Sequence, residues 1–282
     1  MATVLPLPVS TQERLTYPPG TIVIPCHDLA RYHQFTHDMH LLDVPDGTIA
    51  SYQRSLSIVQ NLNEAVKAML QEQKPPVDEA GNPKLDEFGE PLPAPPDSQW
   101  AWFIADDHCF SRTVVVDLLR RDVDIVVPLV CRRGPPYSLV IFDDERGEDE
   151  HGRTMYHQVQ YDELPEDGGL FEVHAAGSAG MMVKRHVFEE IGFPWFENSD
   201  GISTNEDVEF CRKAREAGFK IWCDTDVRLG HLGAVAAWPA RREGEWGIVF
   251  DFQGVGQNQI WMPGGVRASD EGVGTATGQV DW

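Results

Sequence analysis

Asp106, Asp107 and His108 stand together at the end of the apolar run WAWFI, and their types suit chemistry more than packing. In extended backbone, residues two apart share a face, so Asp106 and His108 point one way and Asp107 the other. One carboxylate oxygen and one imidazole nitrogen on a common face suit a divalent cation with mixed oxygen and nitrogen donors, Mn2+ before Mg2+. The alternative is a polar strand end in solvent, with one Asp capping the next turn. His231, between glycines in GHLG, is a candidate further ligand, because flanking glycines let a backbone approach a bound group closely. Glu206 and Asp207, in TNEDVEFCRKAREAGF, are the candidate proton acceptors. Thr204 with Asp207 three residues on resembles a capping box, and acids in a first turn complement the helix dipole. The catalytic reading is a carboxylate base held at a helix N-terminus. Both hold if one carboxylate caps and its neighbour faces a cleft.

These residues need strands and helices to bring them together, and the chain has both patterns. TIVIPC (21–26), WAWFI (100–104) and VDIVVPLV (123–130, with Pro128 as its stop) are apolar on both faces, as central strands of a covered sheet are. Leu56, Val59, Leu62, Val66 and Leu70 recur at helical spacing, and SRTVVVDLLRRD predicts a helix with Ser111 as a cap. FEVHAAGSAGMMVKRHVFEEIG predicts a strand, a turn and a helix; the segment from Thr204 a helix; and KIWCDTDV a strand. The His- and Asp-rich stretch before Gly47 reads as a loop. Alternation of strand and helix implies an α/β domain with a mostly parallel sheet. In such sheets ligands collect at the carboxyl ends of strands, where Asp106–His108 fall.

Two acidic insertions, at about 73–99 and 143–169, interrupt the pattern, and the first holds the near-repeat DEAGNPKL–DEFGEPL. Its acids match no calcium loop and suit a solvated hairpin or linker. Residues 1–240 are expected to form the catalytic domain and 241–282 a Gly-rich extension or tail.

The 282 residues carry a net charge of −22, a field that disfavours non-specific nucleic-acid binding. Arg132, Arg133, Arg241 and Arg242 could still build a local basic pocket. Five scattered cysteines without a CxxC pair suit a reducing compartment. With no apolar run near the roughly 18 residues of a membrane span, the expectation is a cytoplasmic protein.

In their order, IVIPC, FIADDH, AAGSAGMMVKRHVFEEIGFPWF, NEDVEFCRKAREAGFKIW and GHLG resemble the GT-A glycosyltransferases, most closely family-2-like enzymes of the compact kind encoded by phages. The likeness covers roughly residues 20–235. It implies a single GT-A (Rossmann-like) domain, a nucleotide-diphosphate sugar as donor, and a divalent metal at the strand-end acids. Two frames of the metal motif fit: Asp106 with His108, which supplies two same-face ligands and is preferred, or Asp107 with Ala105 in the place of the first acid. His231 matches the late histidine that closes the metal site in some members. Asp207 matches the catalytic base beside Glu206. The resemblance places Pro25, Cys26, His27, Asn63 and Asp106 against the donor, and Gly177, Ser178 and Trp195 on the sugar and acceptor side. Where many relatives carry Arg-Asn, this chain has Leu62-Asn63, and no acid marks the end of a second strand. The acceptor is open: a modified DNA base, a virion protein or a glycan. Two other classes stay in view, a non-catalytic nucleotide-sugar or carbohydrate-binding module, and a nucleotidyltransferase. The latter normally carries a Gly- and Arg/Lys-rich phosphate loop, which PCHDLARYHQ is not.

Overall fold

The computed structural model describes residues 3–6, 17–25, 32–53, 57–71, 78, 82–86, 89–92, 97–133, 136–148, 154–198, 206–233, 236–251 and 259–263. The first part of the chain forms β1 (Thr3–Pro6), β2 (Thr21–Pro25), α1 (His33–Leu41), β3 (Ile49–Gln53), α2 (Ile58–Leu70), β4 (Trp100–Phe103), β5 (His108–Phe110), α3 (Val114–Arg120) and β6 (Ile125–Leu129). A hairpin follows, β7 (Ile141–Glu148) and β8 (Thr154–Gln158), then β9 (Leu170–Val173), β10 (Ala175–Ala176), β11 (Met182–Lys184) and α4 (Arg185–Ile191). The chain continues through α5 (Glu206–Glu216), β12 (Ile221–His231), β13 (Ala236–Arg242), β14 (Glu245–Asp251) and β15 (Gln259–Pro263).

The main sheet runs β1-β3-β2-β4-β11-β6-β12-β13-β14-β15, with β5 and β9 also paired to β12. Its central strands are apolar on both faces because both faces are covered. Val23, Ala101, Phe103, Ile125 and Val127 pack with α2, α4 and α5, whereas Ile22, Ile24, Trp102, Ile104 and Val126 pack with α1 and α3. The apolar runs read as strands are therefore central strands.

The sheet is mixed, which corrects the expectation of a mostly parallel one. β2 pairs in parallel with β3 and β4, and β6 with β12. β11 lies antiparallel between β4 and β6. The cause is the tight turn before it: Met181 N donates to Ser178 O, and Gly180 N donates to Phe103 O at the carboxyl end of β4. The chain thus enters the sheet from that end and must run back. Gly180 has φ +79°, and a Cβ there would lie 2.4 Å from Pro128 and 2.6 Å from Leu229, so only glycine fits.

Pro128 sits inside β6 rather than stopping it. Opposite it the register of β12 shifts between Asp224 and Arg228, a bulge of the kind that accommodates a residue without an N–H. That bulge carries Asp224, fully buried, whose two oxygens take a forked pair of hydrogen bonds from Arg121 at 2.7 and 2.9 Å. Arg121→Ala leaves this buried carboxylate without its counter-charge, with only the Asp226 N–H as donor among the described residues. Unfolding in denaturant is therefore expected to show a loss of about 3–5 kcal/mol.

Other segments depart from expectation. The stretch read as a loop before Gly47 contains α1, because Phe35 and Met39, one turn apart, are buried and Asp38 Oδ2 accepts from Phe110 N at 3.1 Å; tertiary contacts override a weak local pattern. The 143–169 insertion is largely the ordered hairpin β7–β8, which joins β10 in a second, three-stranded sheet. The near-repeat corresponds to a repeated turn: Asp78 N donates to Asn82 O and Asp86 N to Glu90 O, each at 2.8 Å. In return, Asn82 N donates to Asp78 Oδ1 and Glu90 N to Asp86 Oδ1. The aspartates thus close turns, which explains their recurrence without an ion. The expected boundary at 240 falls within β13, whose meander with β14 and β15 extends the main sheet and buries Ile248. Among the described residues, no helix is long and apolar enough to cross a membrane.

Candidate metal centre and catalytic cleft

The site begins with a turn. β4 ends at Phe103, Asp106 and Asp107 form a tight turn, and the chain re-extends at His108 as β5. Asp106 and His108 would share a face only in unbroken extended backbone, and this turn breaks it. β5 then pairs antiparallel with the end of β12, placing His108 directly opposite His231 and Cys109 opposite Gly230. Leu232 N donates to Asp107 O at 2.7 Å and fastens the turn to the same strand. Gly230 serves this packing: a Cβ there would lie 2.5 Å from Trp238 and 2.6 Å from Cys109 Sγ. Close contact between strands is what requires glycine here.

The pairing brings Asp107, His108 and His231 together, with one potential ligand atom from each all within 4.8 Å of one another. The imidazoles stack with centroids 4.3 Å apart. Asp107 Oδ1 lies 3.0 Å from His108 Nδ1, and Asp107 Oδ2 lies 3.2 Å from His231 Nε2. Burial disfavours the ionised Asp107, but the two imidazoles beside it outweigh that and hold its carboxyl well below the usual carboxylate range. Burial pushes His108 down, towards the neutral form.

The donor chemistry fits a metal. His231 Nδ1 donates to the Cys131 carbonyl at 3.0 Å, which in a neutral ring leaves a lone pair on Nε2 facing Asp107. A divalent cation between that nitrogen and Asp107 would satisfy both, and a backbone carbonyl on the other ring nitrogen is the usual support of a metal-ligating histidine. His108 is buried, and neither of its ring nitrogens has an aligned hydrogen bond. The residues thus offer two imidazoles and one carboxylate, a mixed set suited to Mn2+ and its neighbours in the transition series. Asp106 is half-buried in the turn and contributes no atom to this group.

A cleft of about 310 Å³ opens beside these residues, lined by His108, Val130, Arg132, Arg133, Val140, Gly177, Ser178, Ala179, Asp207 and His231. Arg133 donates to Asp107 Oδ2 at 3.1 Å. Asp207, in the first turn of α5, accepts from Val208 N through Oδ1 and from Ser178 N through Oδ2. Burial and the neighbouring Glu206 carboxylate push Asp207 up to about 6. Gly177 N donates to Val140 O, and a Cβ at Gly177 would come within 3.3 Å of Val140. Gly177 and Ser178 therefore both line the cleft, and the Ser178 N–H holds the carboxylate in it. Glu206 is buried, outside the cleft lining, and burial raises its carboxyl as well.

Two expected contacts lie elsewhere. Asn63 is buried with all its hydrogen-bonding capacity used: Oδ1 accepts from Trp195 N and Phe196 N, and Nδ2 donates to Val59 O and Phe196 O. It clamps the 195–196 backbone and has nothing left for a donor. Trp195 is likewise core, 5% exposed, its indole N–H donating to Phe188 O and its ring edge-on to Phe188 and Phe193. An aromatic plane offered to a sugar would have to be exposed, and this one is not. Pro25 ends β2 at the edge of the described residues, while Cys26, His27 and Thr204 lie outside them. Of the arginines, Arg132 and Arg133 reach the cleft, whereas Arg241 and Arg242 are exposed at the end of β13. The feature least visible in sequence was the link between Arg133 and Asp107, for which two arginines just after an apolar strand were the only signal.

No family model matches the chain, and no curated protein matches it. Among solved structures it is similar to A197 from STIV, with TM-score 0.49 and 13% identity over 83% of this chain and 94% of that one. It is also similar to GalNAc-T7 with UDP, GalNAc and Mn2+ (TM-score 0.42, 12% identity, 80% of this chain, 44% of that one). A third is S. aureus TarS 1-349 (TM-score 0.39, 12% identity, 74% of this chain, 58% of that one). Likeness at this level carries no chemistry from those proteins to this one.

Proposed function

We propose that this protein is a metal-dependent glycosyltransferase that moves a sugar from a nucleotide-diphosphate sugar to an acceptor hydroxyl. The observation that carries the reading is one cleft lined both by His108 and His231, of the two-histidine, one-carboxylate group, and by the Asp207 carboxylate. The order of strand-end and helix motifs along the chain, which resembles that of GT-A enzymes, supports the same reading.

Asp107, His108 and His231 would hold the metal, Mn2+ before Mg2+. A cation bound there supplies charge neutralisation for the donor's diphosphate as it departs. Arg132 and Arg133 add positive charge to the cleft of a chain whose net charge is −22. Asp207 Oδ2 takes the acceptor proton. Its pKa of about 6 leaves it ionised at neutral pH yet basic enough to accept one. The Ser178 N–H aims the carboxylate.

The test is incubation with Mn2+ and a panel of nucleotide sugars, following release of the nucleoside diphosphate. Release dependent on Mn2+ is the expected result. If every donor stays intact with and without sugar, protein and nucleic-acid acceptors, the binding-module reading replaces this one. Formation of a nucleotide sugar and pyrophosphate from a nucleoside triphosphate and a sugar phosphate would identify a nucleotidyltransferase.

A further inference from the structure

Asp107 already has a cation. The Arg133 guanidinium lies 3.1 Å from Oδ2, the same oxygen that His231 Nε2 approaches to 3.2 Å. The arginine is the most exposed member of this set. Its side chain is 56% exposed, whereas those of Asp107 and His231 are 24% and 20% exposed. Its anchor is firmer: Cys131 bridges to Leu139, and Arg132 N donates to Ser138 O at 2.9 Å, closing the base of the segment that follows β6. Arg132 and Arg133 both line the cleft.

We propose that Arg133 is an exchangeable counter-ion: it holds Asp107 in the metal-free protein and moves to the phosphates of the ligand once a divalent cation takes the carboxylate. This rests on the metal site proposed above and adds how that site is loaded. A dication bound to Asp107 competes with the guanidinium for the same oxygen and repels it. The displaced side chain stays tethered in the cleft beside Arg132. A guanidinium binds phosphate through two parallel N–H donors, so a diphosphate is the anion class this pair suits. Metal and diphosphate then favour the same state, with Arg133 off Asp107, and each must tighten the other's binding by the same factor. Arg133 is in this scheme a positioning and binding residue, not a catalytic one.

The exchange predicts opposite effects of one substitution. Titration calorimetry of Arg133→Gln is expected to show Mn2+ alone binding about 3- to 10-fold more tightly than to the wild type, because its competitor is gone. Inorganic pyrophosphate, titrated at fixed free Mn2+, is expected to bind at least about 10-fold more weakly, within the usual range of coupling between two sites. Arg133→Lys keeps the charge without the fork and should restore the Mn2+ affinity but only part of the pyrophosphate affinity. A wild type that binds Mn2+ together with an Arg133→Gln protein unchanged in both affinities, or weakened in both, overturns the exchange and leaves the metal site standing. A wild type that does not bind Mn2+ overturns the metal site, and the exchange with it.

Discussion

Asp207→Asn is expected to lower kcat for sugar transfer by about 10²- to 10⁴-fold, the usual contribution of a positioned general base, with Mn2+ affinity unchanged. The substitution keeps the shape of the side chain and removes its ability to take a proton. It also separates catalysis from metal binding, because Asp207 belongs to α5 and the metal group to the β5–β12 pair. The pH profile gives an independent check. Burial and Glu206 push Asp207 up to about 6, and a base works only when ionised. Activity should therefore hold above that value and fall about tenfold per pH unit well below it. Removing the neighbouring charge with Glu206→Gln should move this acid limb to lower pH, since charge repulsion from Glu206 is one cause of the raised value. A rate of transfer unaffected by Asp207→Asn would exclude it as the base.

The second large effect is on the metal. Asp107→Asn and His231→Ala are each expected to weaken Mn2+ binding by about 100-fold or more, since loss even of an outer-shell partner typically costs 10–100-fold. Asp107→Asn removes the one negative charge of the group. His231→Ala removes a nitrogen whose partner on the Cys131 carbonyl fixes its orientation. Circular dichroism should show both variants folded, because the sheet that carries them is held by strand pairing and core packing on both faces. Asp106→Asn is the comparison that separates the two frames: it should bind Mn2+ within a few-fold of the wild type, because the turn keeps Asp106 out of the group. A calorimetric titration in which Asp106→Asn loses binding and Asp107→Asn keeps it would reverse the assignment.

Much of the architecture was legible because it is local. Short apolar runs rich in β-branched and aromatic residues, with no polar face, suit strands covered on both sides, and β2, β4 and β6 are such strands. The helical spacing of Leu62, Val66 and their neighbours needed only its own periodicity to give α2. The sheet's direction was less accessible. β11 runs antiparallel because a turn at Gly177–Met181 delivers the chain to one end of β4, and strand spacing in sequence carries no sign of that. The roles of Asn63 and Trp195 were hidden in the same way. Both types occur in binding sites and in cores, and the four hydrogen bonds of Asn63 with the burial of Trp195 place this pair in the core.

The sequence alone determined that acids and an imidazole would stand at the carboxyl end of a buried strand, with His231 and Asp207 as their candidate partners. It could do so because residue type and burial pattern are written in consecutive residues. Tertiary structure decided which acid belongs to the group. A turn at Asp106–Asp107 breaks the two-residue alternation, and pairing of β5 with β12 sets His108 against His231 across the intervening chain. Register between strands so far apart follows from how the whole sheet packs. So Asp107, and not the same-face Asp106, meets both histidines and Arg133.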